Sequence, residues 1–168
     1  GAATGQVQTL AEINLTDLPR ISSGVGEFDR VLGGGFVPGS VVLIGGHPGA
    51  GKSTLLLQTL CHLARTLPAL YITGEESLPQ VASRARRLGL DPSQITSLAE
   101  THVEQIQHTI DRLRPKVVII DSIQTLYSDS IQSAPGTVSQ VRESAAQLGE
   151  CAMSTVTPLA TLFSVTMS

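Results

Sequence analysis

Apolar positions along the chain alternate between short runs typical of buried strands and longer stretches with helical spacing. Strand-like runs are predicted at residues 41–45, 69–73, near 95–98, and 117–120. Helix-like stretches lie at residues 24–32, 52–65, 78–88, 103–113 and 138–148. Strands that alternate with helices predict an α/β fold, with a mainly parallel sheet and helices on both of its faces.

The two ends of the chain differ from this regular middle part. Residues 1–20 have weak periodicity and are typical of an approach segment or linker. Residues 21–150 carry the alternating pattern and are predicted to form the folded core. Residues 151–168 are an atypical tail, with no charged residue from Ala152 onward and no clear period. Two interpretations of the tail stay open: an altered reading frame, or a strand that completes an edge of the sheet.

The most specific motif lies between the first strand-like run and the helix-like stretch after it. Residues 46–53 read GHPGAGKS, a complete G-x-x-x-x-G-K-[ST] phosphate loop in the strand-to-helix context that it requires. Its glycines let the backbone direct N–H groups inward, at the positive end of the helix dipole, where they bind phosphate. The predicted nucleotide-binding residues are those of the loop and the next threonine: Gly46, His47, Pro48, Gly49, Ala50, Gly51, Lys52, Ser53 and Thr54.

The side chains at this loop have separate predicted roles. Lys52 is expected to contact the β- and γ-phosphates of ATP, and the Ser53 hydroxyl to ligate Mg²⁺. A second metal-binding residue is predicted at Asp121, which ends the apolar run 117–120. Because the carboxyl ends of parallel strands meet at one edge of a sheet, Asp121 is expected near Ser53. The alternative is that Asp121 only caps a turn.

Two adjacent acids, Glu75 and Glu76, follow the strand-like run 69–73. Neighbouring residues of an extended chain point to opposite sides, so we expect only one of them to orient the water that attacks the γ-phosphate. We assign this catalytic role to Glu75, alongside Lys52. Both acids also suit the first turn of the next helix, whose dipole favours negative charge, and for Glu76 this second interpretation has equal weight.

Composition narrows the class of protein. A length of 168 residues and a hydrophobic content of 41% fit one ordinary globular α/β domain. The net charge of −3 argues against a strongly basic nucleic-acid surface. The local cluster of Arg84, Arg86 and Arg87 is predicted to be a solvated helix face. No apolar run has the length of a membrane span, so we expect a cytoplasmic location without a membrane partner.

The remaining candidate metal ligands form no motif. Cys61 and Cys151 are too few and too far apart to indicate a disulfide framework or a zinc site. Cys61 is expected to be a buried helix residue. His62, His102 and His108 stand alone, without metal-ligand spacing, and are predicted to be surface or interface residues.

Several separated segments resemble one family. The segment 22–54, SSGVGEFDRVLGGGFVPGSVVLIGGHPGAGKST, resembles the start of a RecA-type ATPase core, and more narrowly that of the bacterial RadA (Sms) family of DNA repair proteins. The resemblance continues in YITGEES at 71–77, VVIIDSIQTLYSD at 117–129 and SAPGTVSQVRES at 133–144. It covers about residues 6–148 and is more specific than a shared phosphate loop alone.

The resemblance implies a function as well as a fold. The implied fold is that of a RecA-like P-loop NTPase, incomplete in this chain, and the implied activity is ATP-dependent processing of recombination intermediates. In such proteins the acid that matches Glu75 is the catalytic glutamate, and the loop that matches Ser128–Val138 faces single-stranded DNA. The resemblance also implies a homo-oligomer of the hexameric type.

Parts of the family pattern are not found in this sequence, which leaves other functions open. The four-cysteine zinc finger, the later core strands, the Lys-Asn-Arg-Phe-Gly motif and the Lon-protease-like domain have no match here. We therefore expect a truncated form, in which nucleotide binding is better supported than motor activity. One alternative is a nucleotide-regulated assembly module like the circadian-clock ATPases. Another is a truncated chain that binds nucleotide without motor activity, or that folds poorly because a sheet edge is exposed.

Overall fold

A computed structural model describes residue 5 and residues 7–12, 19–38, 41–46, 50–154 and 160–166. At residues 41, 43–46, 50 and 53, and after residue 150, this description covers the backbone alone. The five strands are β1 (Val41–Gly46), β2 (Ala69–Thr73), β3 (Thr96–Ala99), β4 (Val117–Asp121) and β5 (Ala160–Thr166). The five helices are α1 (Gly26–Val31), α2 (Ala50–Leu63), α3 (Leu78–Arg87), α4 (Val103–Leu113) and α5 (Val138–Ser154).

These elements confirm the predicted α/β architecture. The strands form one sheet in the order β1-β5-β4-β2-β3, and every pair of neighbours is parallel. Parallel neighbours need long crossover connections, which the helices between successive strands provide. Helix α5 continues six residues beyond the predicted end at residue 148. No helix in the described ranges has the length and apolar character needed to cross a membrane.

The tail contributes an inner strand. Residues 160–166 form β5, which pairs with β1 on one side and with β4 on the other. The structure therefore gives a strand, but in the interior of the sheet and not at the edge that we had considered. Strand β5 is the only connection within the described sheet between β1 and the block β4-β2-β3.

The inner strands β2 and β4 divide the core into two layers. In both strands successive side chains point to opposite faces of the sheet. Tyr71 and Ile119 pack on the face covered by α1, α2 and α3. Ile72 and Ile120 pack on the other face, against α4 and α5. All five residues of β2 are buried, as expected for a parallel strand covered by helices on both sides.

The inner position of β5 leads to a prediction. Leu162→Pro removes a backbone donor from a strand that is paired on both sides, so we expect a loss of about 1–3 kcal/mol in the free energy of unfolding. Urea denaturation measures this loss. Thr96→Pro is the matched control, because Thr96 is the first residue of the edge strand β3, where proline is tolerated. Equal effects of the two variants would contradict the inner position of β5.

Candidate active site

The phosphate loop lies at the carboxyl end of β1. Strand β1 ends at Gly46 and α2 begins at Ala50, while residues 47–49 lie outside the described residues. The first turn of α2 contains Gly51 and Lys52, and Lys52 is half-buried. A Cβ atom added to Gly51 would meet no atom within 4 Å among the described residues. Thr54 is also half-buried, and Ser53 is described as helix backbone only.

Asp121 ends β4 at the same edge of the sheet. The register pairs Asp121 with Ser164 of β5, which is also the partner of Ile44 in β1. Asp121 is thus level with Ile44 at a separation of two strand spacings, or about 10 Å. In β4 the alternation places residues 117, 119 and 121 on one face, and Val117 and Ile119 pack against α2 and α3. The carboxylate therefore lies on the side of the sheet where the phosphate-loop helix begins.

A tyrosine holds this carboxylate. The Tyr71 hydroxyl donates a hydrogen bond of 3.1 Å to Oδ2 of Asp121. Burial and, after it, the charge of Asp121 raise the pKa of Tyr71, so the hydroxyl stays protonated and remains a donor. No motif of the sequence singles out Tyr71. The signal was present, because a tyrosine in an otherwise aliphatic buried strand needs a partner for its hydroxyl.

The turn after β2 presents the two glutamates differently. Thr73 is buried, and its hydroxyl accepts a hydrogen bond from the backbone N–H of Glu76 at 3.1 Å. Ser77 then caps α3 in a capping box with Gln80, which fixes where the helix starts. Between these anchors the Glu75 side chain is exposed and makes no hydrogen bond or ion pair with the described part of the chain.

Glu76 is occupied by a salt bridge. Its Oε1 and Oε2 atoms lie 2.6 and 2.5 Å from Nη1 of Arg84, two turns along α3. Burial lowers the pKa of Arg84, but the hydrogen bond and the charge of Glu76 outweigh this effect and raise it. The prediction of a solvated arginine face is therefore wrong for Arg84, which is half-buried, and correct for Arg86 and Arg87, which are exposed. The sequence missed this pair because its partners are eight residues apart.

A second turn packs under the glutamates. The chain after Asp121 forms a 3₁₀ turn at Ile123–Thr125, and the backbone N–H of Gly74 donates to the carbonyl of Asp121 at 3.0 Å. A Cβ atom added to Gly74 would lie 1.9 Å from Oγ1 of Thr125. The turn 122–126 is therefore in direct contact with the residue that precedes Glu75, and it connects both acidic positions of the site.

His102 does not stand alone, as the sequence had suggested. Its Nε2 atom lies 3.0 Å from Oδ2 of Asp129 and 3.0 Å from Oε2 of Glu104, and only the contact with Asp129 is aligned as a hydrogen bond. The ring stacks on Tyr127 with a centroid distance of 4.9 Å. Hydrogen bonding and stacking account for this cluster, and we assign no metal ion to it. His62 and His108 are exposed, as predicted, and Cys61 is buried.

The described groups fit a magnesium nucleotide. The first N–H groups of an α-helix have no partner within the helix, so those of α2 are suited to bind an anion. A lysine in the same turn supplies positive charge for phosphate. Across the site, Asp121 supplies the hard oxygen ligand that Mg²⁺ prefers. This edge of the sheet thus carries an anion-binding group after β1 and a cation-binding group at the end of β4, two strand spacings away.

Comparison with known proteins agrees with this geometry. The family described as "ATPase: KaiC" matches residues 21–103, a range that contains the phosphate loop and both glutamates. The DNA repair protein RadA of Haemophilus influenzae is 60% identical over 148 residues, which is 88% of this chain and 32% of that protein. RadA of Escherichia coli is 58% identical over 147 residues, again 88% of this chain and 32% of that protein. RadA of Bacillus subtilis is 48% identical over 151 residues, 89% and 33% of the two chains.

The fold is that of a KaiC-type ATPase domain, a RecA-like P-loop fold. The similarity extends well beyond the phosphate loop, because identities of 48–60% run over nearly nine tenths of the chain. Over these residues the chain is similar to RadA. It spans about a third of the length of the curated relatives that it matches.

The contact between the two turns can be tested by substitution. Gly74→Ala places a methyl group against the Thr125 side chain, so we expect a loss of about 1–3 kcal/mol in the free energy of unfolding. Gly26→Ala is the control, because its new Cβ would meet nothing within 4 Å among the described residues, and it should change stability by less than about 0.5 kcal/mol. Urea denaturation curves that coincide for the two variants would show that the turns are not in contact.

Proposed function

We propose that this chain is the nucleotide-binding part of a Mg²⁺-dependent ATPase that acts in DNA repair. The observation that carries the proposal is the position of Asp121, held by Tyr71 on the α2 side of the sheet and about 10 Å from β1. In the proposed site the terminal phosphates of ATP lie between this carboxylate and the N-terminus of α2. The RadA relatives, whose printed name is DNA repair protein, support the biological setting.

Each proposed role follows from the chemistry of the side chain. The Lys52 ammonium and the N–H groups at the start of α2 bind phosphate oxygens and stabilise negative charge as it shifts during phosphoryl transfer. Ser53 and Asp121 would hold Mg²⁺, which would supply positive charge to offset that of the phosphates. The hydrogen bond from Tyr71 fixes the orientation of the Asp121 carboxylate, because it occupies one of its oxygens and leaves the other for the metal shell.

We assign the orientation of the attacking water to Glu75. Its carboxylate is exposed at the carboxyl edge of the sheet and lacks a partner within the described residues, so it is available to accept a proton from water. Glu76 is less suited to this role, because its carboxylate is held by Arg84. A glutamate engaged in a half-buried salt bridge would leave an arginine unpaired if it turned toward a nucleotide.

The finer parts of the proposal rest on the family resemblance. They are a cytoplasmic location, action on single-stranded DNA and branched recombination intermediates, and assembly into a hexamer-type homo-oligomer. The exposed loop that follows Ser128 is the proposed DNA-facing segment. Its own charge is low, so any contact with DNA would depend on backbone N–H groups and polar side chains.

Removal of the phosphate-loop lysine tests nucleotide binding. Lys52→Ala is expected to weaken ATP binding by about 10²-fold or more, because a charge-assisted contact with phosphate is lost. Isothermal titration calorimetry with ATP and Mg²⁺ measures the change. Lys116→Ala is the matched control, since it removes the chain's other lysine at the opposite end of the sheet, where β4 begins. Unchanged ATP affinity in Lys52→Ala would overturn the proposed site.

Exchange of the carboxylate for an amide separates binding from hydrolysis. Glu75→Gln is expected to keep ATP affinity and lower the rate of ATP hydrolysis by about 10²–10⁴-fold, because the amide cannot accept the proton of water. Phosphate release measures hydrolysis. Glu76→Gln should instead lower the free energy of unfolding, since Arg84 loses its charged partner. A loss of hydrolysis in Glu76→Gln with normal turnover in Glu75→Gln would reverse the assignment.

A second candidate function is a nucleotide-regulated assembly module. The match to the family described as "ATPase: KaiC" supports it, because the matched residues 21–103 contain the phosphate loop and the glutamate pair. Size-exclusion chromatography with and without ATP separates the two candidates when it is combined with ATP turnover in the presence of single-stranded DNA. A change of oligomeric state without stimulation by DNA would favour the assembly module.

A further inference from the structure

Gln140 is a fully buried amide in the first turn of α5. Its side chain is 1% exposed, although glutamine is mostly a surface residue. Every polar atom of the side chain has a partner in the protein. A buried amide with complete hydrogen bonding defines one arrangement of its neighbours, because any displacement leaves a polar group unsatisfied.

On one side Gln140 holds the turn 122–126. Its Nε2 atom donates to the carbonyl of Ile123 at 3.1 Å and to the carbonyl of Leu126 at 3.0 Å, and both residues belong to that turn. Nε2 also lies 2.9 Å from the Ser144 hydroxyl, which anchors the amide to α5. This turn begins directly after Asp121 and packs against Gly74, the residue before Glu75.

On the other side Gln140 holds the exposed loop 129–137. Its Oε1 atom accepts a hydrogen bond of 3.1 Å from the backbone N–H of Gly136. The backbone N–H of Gln140 donates to Oγ1 of Thr137 at 3.2 Å, and Thr137 closes the loop by donating to the carbonyl of Ala134 at 2.7 Å. Apart from the half-buried Ile131 and Ser133, the loop is exposed and therefore accessible to a ligand.

We propose that Gln140 is a positioning residue for the nucleotide site, and that it couples the exposed loop 129–137 to that site. The inference rests on the proposed function, since it concerns the regulation of the same site. One side chain bonds both to the turn that supports Glu75 and to the end of the loop. A change at the nucleotide phosphates that moves the turn must therefore either carry the loop with it or break hydrogen bonds in a buried place.

The same contacts would allow a ligand on the loop to act on the site. Coupling between two sites is reciprocal. If a loop ligand and the nucleotide favour the same arrangement of the loop, each strengthens the binding of the other by the same factor. The loop offers small polar side chains and backbone N–H groups around Gly136, and it has no charged residue between Ser130 and Thr137. A polyanion could therefore bind to it only through hydrogen bonds.

Gln140→Met is the decisive variant, because methionine keeps the volume of the side chain and removes all of its hydrogen bonds. The probe is the non-hydrolysable analogue AMP-PNP with Mg²⁺, and amide hydrogen exchange of residues 129–137 is the readout. In the unmodified chain we expect AMP-PNP to slow this exchange by about fivefold or more. In Gln140→Met we expect no response of the loop and about tenfold slower ATP hydrolysis, with the AMP-PNP dissociation constant within about twofold of the unmodified chain.

Two further variants separate positioning from general stability. Gln107→Met is the control, because Gln107 contacts α5 through Gln147 and does not contact the turn. It should lower the melting temperature without changing the response of the loop. Thr137→Val replaces an exposed side chain, so the fold should be retained, and it removes both hydroxyl contacts at the end of the loop. We expect it to reduce the response of the loop to AMP-PNP by at least half even if Gln140→Met does not fold.

The outcomes are distinguishable. If the unmodified chain binds AMP-PNP and its loop exchange does not change, the coupling is overturned and the proposed function stands. The coupling is also overturned, and the proposed function stands, if Gln140→Met keeps the full response of the loop. If Gln140→Met does not fold, a full response in Thr137→Val has the same meaning. If the unmodified chain does not bind AMP-PNP at all, the proposed function itself is overturned, and this inference falls with it.

Discussion

The site depends on the side-chain alternation of two neighbouring buried strands. Because β2 and β4 are parallel and in register, Tyr71 and Asp121 come to the same face of the sheet, and the tyrosine hydroxyl reaches the carboxylate. A shift of one residue in β4 would turn Asp121 toward α4 and α5, on the side away from the phosphate-loop helix, and the same shift in β2 would turn Tyr71 away from it. The apolar residues that fix this register are therefore also the residues that aim the metal-binding group.

The turns at the carboxyl edge extend the same constraint. Thr73 and Ser77 fix the backbone on either side of the two glutamates, and the salt bridge to Arg84 draws Glu76 toward α3. Glu75 is left exposed as a consequence of how its neighbour is bound. Beneath it, the turn 122–126 is held by a buried glutamine, so the support of the site reaches α5 and the loop before it.

Strand β5 explains the unusual composition near the end of the chain. A strand between two parallel neighbours has no free edge, and helices cover both faces of such a sheet, so charged residues are disfavoured along it. The uncharged sequence ATLFSVT at residues 160–166 has this character, although it shows no clear alternation. Its place between β1 and β4 also sets the spacing between the phosphate loop and Asp121, because it inserts one extra strand between them.

The sequence alone determined the class of the fold and most of its elements, and it predicted the site residues, because these depend on local patterns. Apolar periodicity located β2 and α4 at their observed bounds, and the glycine spacing of residues 46–53 identified the phosphate loop within one short segment. Tertiary structure alone decided the rest. It decided the pairing of Arg84 with Glu76, the hydrogen bond of Tyr71 to Asp121, the inner position of β5 and the contacts of Gln140. Each of these joins parts of the chain that meet only after it has folded. No local pattern encodes such contacts, since their partners are chosen by sheet order and register.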